Sequence, residues 1–374
     1  MLPGEKAPAS LTLEIGTAWT AIFALLAVIG AVAFLYGISG DLALRSWQVY
    51  LANYVFWAGL SFGAVLFAAV LNMTDARWGR PVKRLAEAFG AYLPVSFVLF
   101  WVVYFGRTVI FHVRGDREWM ARTEQQSAGS ENEPWKSSWR FQKILSPIIG
   151  IAYAFILSLL AFDLIMSLDP HWYSTLFGGY YFMGSFFVAI VAIYLVSLLF
   201  LDSPVLREHI HARQLHDLGK LTLAFCVFTG YLFYAQFNTI WYGNLPEETR
   251  YVILRVKLSP WEPLAWVILF MILIIPFFVL LSRRVKLKRG PMIGLTILIL
   301  VGMWLERFIL VAPSIWKREW IPLGPLEVLI TAGFFGLMGL CFTLFLRRFP
   351  VIPVSDPLFR EALASGEDEE KLKP

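Results

Sequence analysis

The chain has 374 residues, of which 58% are hydrophobic and only 16% charged, and its mean hydropathy is +0.64. An ordinary soluble domain is about half apolar and about a quarter charged, so this composition excludes a soluble globular protein. The net charge of +5 fits basic loops beside anionic lipid, and no nucleic-acid partner is expected. The composition therefore predicts an integral membrane protein.

Apolar segments of about 20 residues recur along the chain and match a hydrocarbon core roughly 30 Å thick. Membrane-spanning β-strands would be about 10 residues long with alternating polarity, so these segments are predicted to be helices. The predicted spans are 18–37, 48–71, 86–111, 144–167, 178–201, 219–241, 263–282, 292–312 and 325–346. We expect an all-α polytopic bundle of nine to ten transmembrane helices, forming one domain over residues 18–346.

The segments outside these spans are polar. Residues 1–17 lack a basic cluster and an obvious cleavage site, which predicts an N-terminal extension before a retained anchor helix, with a cleaved signal peptide as the alternative. Residues 114–143 contain RTEQQSAGSENEP and are predicted to form a surface loop. Residues 347–374, which end in GEDEEKLKP, are predicted to form a mobile cytoplasmic tail.

Nine crossings would place the two termini on opposite sides of the membrane. The side with the 114–143 loop, the RRVKLKR run and the C-terminal tail has the larger share of Lys and Arg, which predicts a cytoplasmic C-terminus. The basic segment DARWGRPVKR, residues 75–84, falls on the opposite side in this topology. Either that segment is an exception, or a membrane-dipping segment lies between residues 112 and 143.

Glu306 and Arg307 lie deep within the eighth predicted span. Ionisable residues inside a span cost a few kcal/mol or more at the bilayer centre, so they are functional candidates. Neighbouring side chains on a helix point about 100° apart, which predicts a partner on another helix for each. The alternative is an ion pair that only holds helices together.

The stretch FDLIMSLDPHWYST, at the end of the fourth span, supplies three further candidates. Asp163 lies within the span and needs a polar cavity, water or a cation to remain ionised. Asp169 and His171 lie at its outer mouth, and Asp169, which precedes a proline, is equally consistent with a turn residue or cap. Asp163 is the better candidate for chemistry. Gln236, Asn238 and Glu262 are predicted at a similar depth.

A second group of polar residues is predicted toward the cytoplasmic ends of the spans, where protons could enter: Arg107, His216 and Asp217. Arg107 could instead extend to the membrane surface, and the histidines could simply be solvated. Two cysteines are too few for an iron–sulfur cluster, and no histidine lies within a span to ligate haem. No HExxH, CxxC, P-loop or dinucleotide-binding motif occurs. We therefore expect no haem, iron–sulfur or metal site in this chain.

The segment FDLIMSLDPHWYSTLFGGYYFMGSF, residues 162–186, resembles the NrfD-like (polysulfide-reductase type) membrane subunits, and most closely the F subunit of alternative complex III. The segments ARWGRPVKRLAEAF, LPVSFVLFWVVYFGR, HDLGKLTLAFCVFTGYLFYAQFNTIWYGNLPEET and ERFILVAP support this resemblance. It extends over most of the chain from residue 48 onward. The family pattern has an additional helix between the FGR and SLDP segments, where this chain has the polar 114–143 stretch.

The resemblance implies a haem-free subunit of a quinol:cytochrome c oxidoreductase in a respiratory or photosynthetic chain of the bacterial inner membrane. Its implied partners are a sister NrfD-like quinol-binding subunit, multihaem and monohaem cytochrome c subunits, an iron–sulfur protein and other small membrane subunits. Haem c and iron–sulfur clusters would belong to those partners. The resemblance implies that the principal quinol site lies in the sister subunit, so this chain would either bind a quinone or quinol such as menaquinol itself, or conduct protons and support that site. Glu306, Arg307 and Asp163 would then contribute to a proton path or quinone site.

Two other functions remain open from the residues alone. The intramembrane charges also fit an independent proton-coupled secondary transporter or channel, although no matching pair of interrupted helices is apparent. They equally fit a structural scaffold subunit whose charges only fix the helix packing.

Overall fold

The computed structural model describes residues 13, 15–110, 136–207, 209–316 and 318–351. Within these ranges the chain forms helices and turns, with no strands, and nine helical segments are long and apolar enough to cross a membrane. The predicted all-α polytopic bundle is therefore confirmed. Most of the predicted N-terminal extension and C-terminal tail, and residues 114–135 of the predicted loop, lie outside the described residues.

The helices, in chain order, are α1 (Thr17–Ile38), α2 (Ala43–Met73), α3 (Arg80–Gly90), α4 (Leu93–Ile110), α5 (Lys136–Leu164), α6 (Leu176–Leu199), α7 (Pro204–Arg207), α8 (Ala212–Gly243), α9 (Pro246–Val256), α10 (Trp261–Leu269), α11 (Ile275–Leu281), α12 (Arg283–Lys286), α13 (Arg289–Ile315) and α14 (Pro325–Arg348). A π-helical turn, Phe270–Ile274, joins α10 to α11. Two short 3-10 turns, Met166–Leu168 and Phe200–Asp202, follow α5 and α6.

The third crossing and the loop before the fourth differ from the sequence prediction. The crossing predicted at 86–111 begins at Arg80 and is divided into α3 and α4. The guanidinium of Arg80 is fully buried and donates hydrogen bonds to Leu71 O and Asn72 Oδ1, so it caps the last turn of α2. Residues 136–143 of the predicted polar loop belong to helix α5.

The helices approach closely where small residues face one another. A Cβ at Gly63 of α2 would lie 2.6 Å from Ser185 O of α6, and a Cβ at Gly30 of α1 would overlap the backbone of Gly333 of α14. Close packing of small residues is a main source of helix association in lipid, where apolar burial between helices gives little driving force. The central helices α2 and α6 are thereby fixed against each other.

Polar contacts identify two ends of the bundle. Arg45, at the start of α2, donates hydrogen bonds of 2.7 and 2.8 Å to the carboxylate of Glu327, at the start of α14. Arg255 of α9 donates a hydrogen bond of 2.6 Å to Ser314 Oγ, near the end of α13. Because α14 follows shortly after α13, this contact lies at the same end of the bundle. We call it the α9 end. The opposite end, where α12 leads into α13, is called the α12 end.

The first and last described helices meet at the α12 end. Arg347, in the last turn of α14, donates hydrogen bonds of 2.6 and 3.1 Å to Ile15 O, just before α1. The prediction that the chain begins and ends on opposite sides is therefore wrong for residues 15–351.

The simple alternation of helix direction is interrupted between α4 and α5. Tyr50 Oη, near the start of α2, donates to Leu99 O at 2.9 Å, so α4 leads toward the α9 end. Helix α5 begins at the α12 end, where Lys143 pairs at 2.6 Å with Asp75, just after α2. Residues 75–84 consequently lie at the same end as the RRVKLKR run. This basic segment is therefore on the side with most of the Lys and Arg residues, not on the opposite side as the predicted topology had it.

We predict that cysteines introduced at Gly16 and Gly290 will react from one side of the membrane, and those at Gly40 and Gly243 from the other. Gly16 and Gly290 lie at the α12 end, and Gly40 and Gly243 at the α9 end. A Cβ at any of these positions meets no atom within 4 Å, so the substitutions should be tolerated. Labelling of sealed vesicles with a membrane-impermeant maleimide would measure the sidedness.

The unsubstituted protein serves as the background control for this labelling, because Cys226 is buried and Cys341 partly buried. Labelling of the Gly16→Cys and Gly40→Cys proteins from the same side would contradict the arrangement of helix ends.

Candidate functional site

A cavity of about 200 Å³ lies between α6, α8, α9, α10 and α13. Its wall is largely aromatic and aliphatic, with Phe177, Phe187, Phe237, Ile268 and Leu269 among the lining residues. Two other lining side chains, Phe233 and Trp266, are also exposed on the outer face of the bundle, at 47% and 51%. The cavity thus opens between α8 and α10, toward the lipid. Ligand sites in proteins are typically apolar cavities of this kind with a few polar groups.

A π-helical turn forms one wall of the cavity. Pro276 has no N–H to donate to Ile272 O, so the usual α-helical donor of that carbonyl is missing. The thiol of Cys226, on α8, lies 3.2 Å from Ile272 O and donates to it instead. π-Helical turns occur frequently at functional sites, and this one places Ile272 and Leu273 in the cavity wall.

A second proline has the same effect on α13, on the opposite wall. Pro313 has no N–H for Ile309 O, and Arg255 Nε donates to that carbonyl at 3.1 Å. The guanidinium also donates to Leu310 O at 3.0 Å and to Ser314 Oγ at 2.6 Å. Because Arg255 of α9 donates to the carbonyls of both Ile309 and Leu310, helix α9 is fixed across this end of the cavity.

Arg255 also belongs to a three-layer stack. The rings of Trp172 and Tyr251 are parallel within 4°, with centroids 3.6 Å apart, and Arg255 Cζ lies 3.4 Å from the Tyr251 centroid. Burial raises the pKa of Tyr251 to about 12, so its hydroxyl keeps its proton at neutral pH. Burial likewise lowers the pKa of Arg255 from its ordinary value. The stack joins the SLDPHW stretch to the cavity through Trp172.

Glu306 and Arg307 form a buried ion pair with partners on α6. Arg307 Nη1 lies 2.9 Å from Glu306 Oε2 and donates a hydrogen bond of 3.2 Å to Oε1. Tyr180 Oη donates to Glu306 Oε1 at 2.6 Å, and Arg307 Nη2 donates to Tyr181 O at 3.3 Å. Both charged residues are at most 3% exposed. The predicted partners on another helix are present, but the two side chains also pair with each other.

Three polar atoms of residues lining the cavity lack a hydrogen-bond partner among the described residues: Thr229 Oγ1, Tyr251 Oη and Glu306 Oε2. The Arg307 nitrogen near Oε2 lies at ion-pair distance but without hydrogen-bonding geometry. A buried polar group left without a hydrogen bond costs about 1 to 3 kcal/mol. Tyr251 can donate, Thr229 can donate or accept, and the carboxylate oxygen can accept. Together they suit a ligand that carries hydroxyl or carbonyl groups on an apolar body.

The acids of the SLDPHW stretch do not line the cavity. Asp163 is exposed at the end of α5, and its carboxylate makes no ion pair with a described residue. Asp169 closes turns through its backbone: its N–H donates to Met166 O at 3.1 Å, and its carbonyl accepts from Trp172 N at 3.0 Å. Its carboxylate acts electrostatically on Arg255. His171 is exposed.

The predicted group at the cytoplasmic ends of the spans is divided between the two ends of the bundle. Arg107 belongs to the part of α4 that leads to the α9 end, whereas His216 and Asp217 lie in the first turns of α8 at the α12 end. Asp217 pairs at 2.6 Å with Lys220. The sequence prediction placed all three toward the cytoplasmic ends of the spans, whereas Arg107 and the His216–Asp217 pair lie at opposite ends of the bundle.

Three residues around the cavity were absent from the sequence prediction: Tyr251, Arg255 and Thr229. The segment PEETRYVILRV lies between two predicted spans and forms helix α9, and its proline in the first turn and two following glutamates are typical of a helix start. Thr229 gives no signal, since a threonine inside an apolar span is common. Gln236 lines the cavity as well, whereas Asn238 and Glu262 are exposed.

Comparison with protein-family models and with curated proteins finds no match for this chain. Among the described residues, no three His, Cys, Asp or Glu side chains come together in a way that could hold a metal ion. The fold and the cavity therefore define the class of protein: a multi-pass α-helical membrane protein with a lipid-facing, largely apolar cavity and a buried carboxylate.

Proposed function

We propose that this cavity binds a quinol, and that the chain is a haem-free membrane subunit of a quinol:cytochrome c, or other periplasmic-acceptor, oxidoreductase. The observation that carries the proposal is a set of three buried polar atoms without hydrogen-bond partners among the residues that the structure describes, all on residues that line an apolar cavity open to the lipid. A quinol supplies an apolar ring and tail for the wall and two hydroxyl groups for the polar atoms. The resemblance of residues 162–186 to NrfD-like subunits favours a quinol over other lipophilic ligands.

Glu306 would accept a proton from the bound quinol. Oxidation of one quinol to quinone releases two protons and two electrons, so a site needs a proton acceptor and a nearby redox centre. Glu306 Oε2, which is ion-paired with Arg307 but accepts no hydrogen bond from a described residue, is a suitable acceptor. Tyr251 Oη, which keeps its proton, can donate a hydrogen bond to the other quinol oxygen. The electrons would pass to a haem c or iron–sulfur centre in a partner subunit.

The proposed complex lies in the bacterial inner membrane, with the α12 end toward the cytoplasm. Basic residues are concentrated at the α12 end: Arg77, Lys143, Arg207, Arg213, Lys220, Arg283, Arg284, Lys288, Arg347 and Arg348. The positive-inside rule favours this orientation. The cavity then faces the periplasmic half of the membrane, where the implied multihaem and monohaem cytochrome c subunits would lie, and the sister NrfD-like and iron–sulfur subunits would complete the complex.

We expect Thr229→Val to weaken quinol binding about five- to tenfold, because one hydrogen bond to a neutral group contributes about 1 kcal/mol. The fold should not be destabilised, since the substitution replaces a buried hydroxyl without a partner by a methyl group. Binding would be measured on the purified protein, with its partners, by titrating a short-chain naphthoquinol and following tryptophan fluorescence.

The matched control is Thr222→Val on the same helix. Thr222 is also fully buried, but its hydroxyl donates to Leu218 O at 2.8 Å and the residue does not line the cavity. If both variants bind the quinol with the same affinity as the parent protein, Thr229 does not form a hydrogen bond with the quinol. Uptake of a solute by the purified chain without any cytochrome would instead favour a transporter.

A further inference from the structure

A cluster of cationic and titratable side chains surrounds the start of α8 at the α12 end: Lys286, Arg283, Lys220 and His216. Lys286 is its buried member, only 6% exposed. Its methylene groups cover Gly219, where an added Cβ would lie 3.0 Å from Lys286 Cδ. Tyr194 Oη donates to Lys286 O at 2.8 Å and so fixes this residue against α6. Packing thus holds the backbone and the methylene chain of Lys286 in place.

The cluster has more positive charge than its acidic neighbour can balance. The only carboxylate described in electrostatic contact with it, Asp217, pairs with Lys220 at 2.6 Å and lies 4.0 Å from His216 Nδ1. In the described part of the chain, the ammonium of Lys286 has neither an ion pair nor a hydrogen-bond acceptor. Burial, and secondly the charge of Lys220, lower the pKa of Lys286 from its ordinary value. Among the described residues, the cluster therefore has an excess of positive charge.

The surroundings indicate which kind of anion would fit beside these cations. The α12 end is where the apolar spans meet the membrane surface, and Leu281 and Leu287, on either side of α12, are 56% and 44% exposed. An anion that also carries acyl chains would satisfy both the cations and these apolar side chains. Basic pockets between transmembrane helices characteristically bind lipid head groups.

We propose that Lys286, together with Lys220 and Arg283, binds the phosphate of an anionic phospholipid at the α12 end. This site is separate from the cavity at the α9 end, and its occupation does not depend on the proposed quinol chemistry. The phosphate supplies a counter-charge that Lys286 does not find among the described residues, and the acyl chains lie against the exposed leucines that flank α12.

The test compares Lys286→Gln with Lys288→Gln, in the full chain purified with whatever partners accompany it. Both substitutions remove one charge from the α12 end, but Lys288 is exposed. Phosphatidylglycerol added to delipidated protein should raise the melting temperature of the parent and of Lys288→Gln, and this rise should fall at least threefold in Lys286→Gln. Native mass spectrometry should show a matching loss of retained phosphatidylglycerol.

Three results would overturn the proposal: equal responses of the two variants, an equal response of the parent to phosphatidylcholine, or full stabilisation by inorganic phosphate alone. The last result would identify a free-phosphate site instead. If Lys286→Gln does not fold, Arg283→Gln replaces it, because Arg283 is exposed on α12 and should tolerate the change. That variant should also reduce the response to phosphatidylglycerol.

Discussion

Replacement of Arg307 by leucine should lower the free energy of unfolding by about 3 to 5 kcal/mol, because it leaves the buried carboxylate of Glu306 without its counter-charge. Arg307 is 1% exposed and Glu306 is 3% exposed, so water cannot take over this role without opening the helix packing. The substitution also removes the hydrogen bond to Tyr181 O and the contact of the guanidinium with the Tyr181 ring, whose centroid is 4.5 Å from Cζ. Unfolding in a graded series of denaturing detergent would measure the loss.

The double variant Glu306→Leu/Arg307→Leu is the matched control. Removing both members of a buried ion pair is often close to neutral, since the cost of desolvating the charges is removed along with their attraction. The double variant should therefore recover most of the stability lost in Arg307→Leu. A single variant that costs less than about 1 kcal/mol, or a double variant no more stable than the single one, would contradict this account of the pair.

The amphipathic and apolar patterns of the sequence were sufficient to predict the bundle. Each predicted span overlaps a helical segment long and apolar enough to cross a membrane, because a stretch of about 20 apolar residues has few alternatives to a membrane-spanning helix. Glu306 and Arg307 could be singled out for the same reason: their charges are costly at that depth. The prediction that these two residues are functional candidates depended only on the free-energy cost of burying charges in the membrane.

The topology was harder to predict because it requires knowing which helix ends share a side. Charge counting assumed strict alternation along the chain. The contacts of Arg347 with Ile15, and of Lys143 with Asp75, show that this assumption fails between α4 and α5. A buried cation such as Arg80 further misled the count, since in sequence it is indistinguishable from a basic loop residue.

The cavity itself could not be predicted, because its walls come from helices far apart in sequence. Its shape depends on two prolines, Pro276 and Pro313, whose freed carbonyls are satisfied by Cys226 and Arg255 from other helices. Sequence reasoning identified the prolines neither as helix modifiers nor as neighbours. It favoured Asp163 within the SLDPHW stretch, whereas Trp172 is the residue of that stretch that stacks on a residue lining the cavity.

The strongest functional test of the proposed quinol site is Glu306→Gln, which should reduce quinol oxidation by the purified complex at least 100-fold. Glutamine keeps the shape of the side chain and can still accept the hydrogen bond of Tyr180 Oη, 2.6 Å from the carboxylate, but it cannot take a proton from the quinol. Quinol affinity should fall only about five- to tenfold, because the amide nitrogen that replaces Oε2 cannot accept the quinol's hydrogen bond, so most of the effect should be on turnover. The measurement is quinol-dependent acceptor reduction per assembled complex, with haem content as the measure of assembly.

Tyr180→Phe serves as the control for this variant. It leaves the Glu306–Arg307 pair intact, at 2.9 Å, and removes only the hydroxyl that donates to Oε1, so the acid can still accept a proton. Turnover should therefore stay within about tenfold of the parent, the factor expected from the loss of one hydrogen bond. Unchanged turnover in Glu306→Gln, with assembly intact, would show that the buried pair only fixes α13 against α6. The chain would then contribute structure to its complex, and the quinol chemistry would belong to a partner.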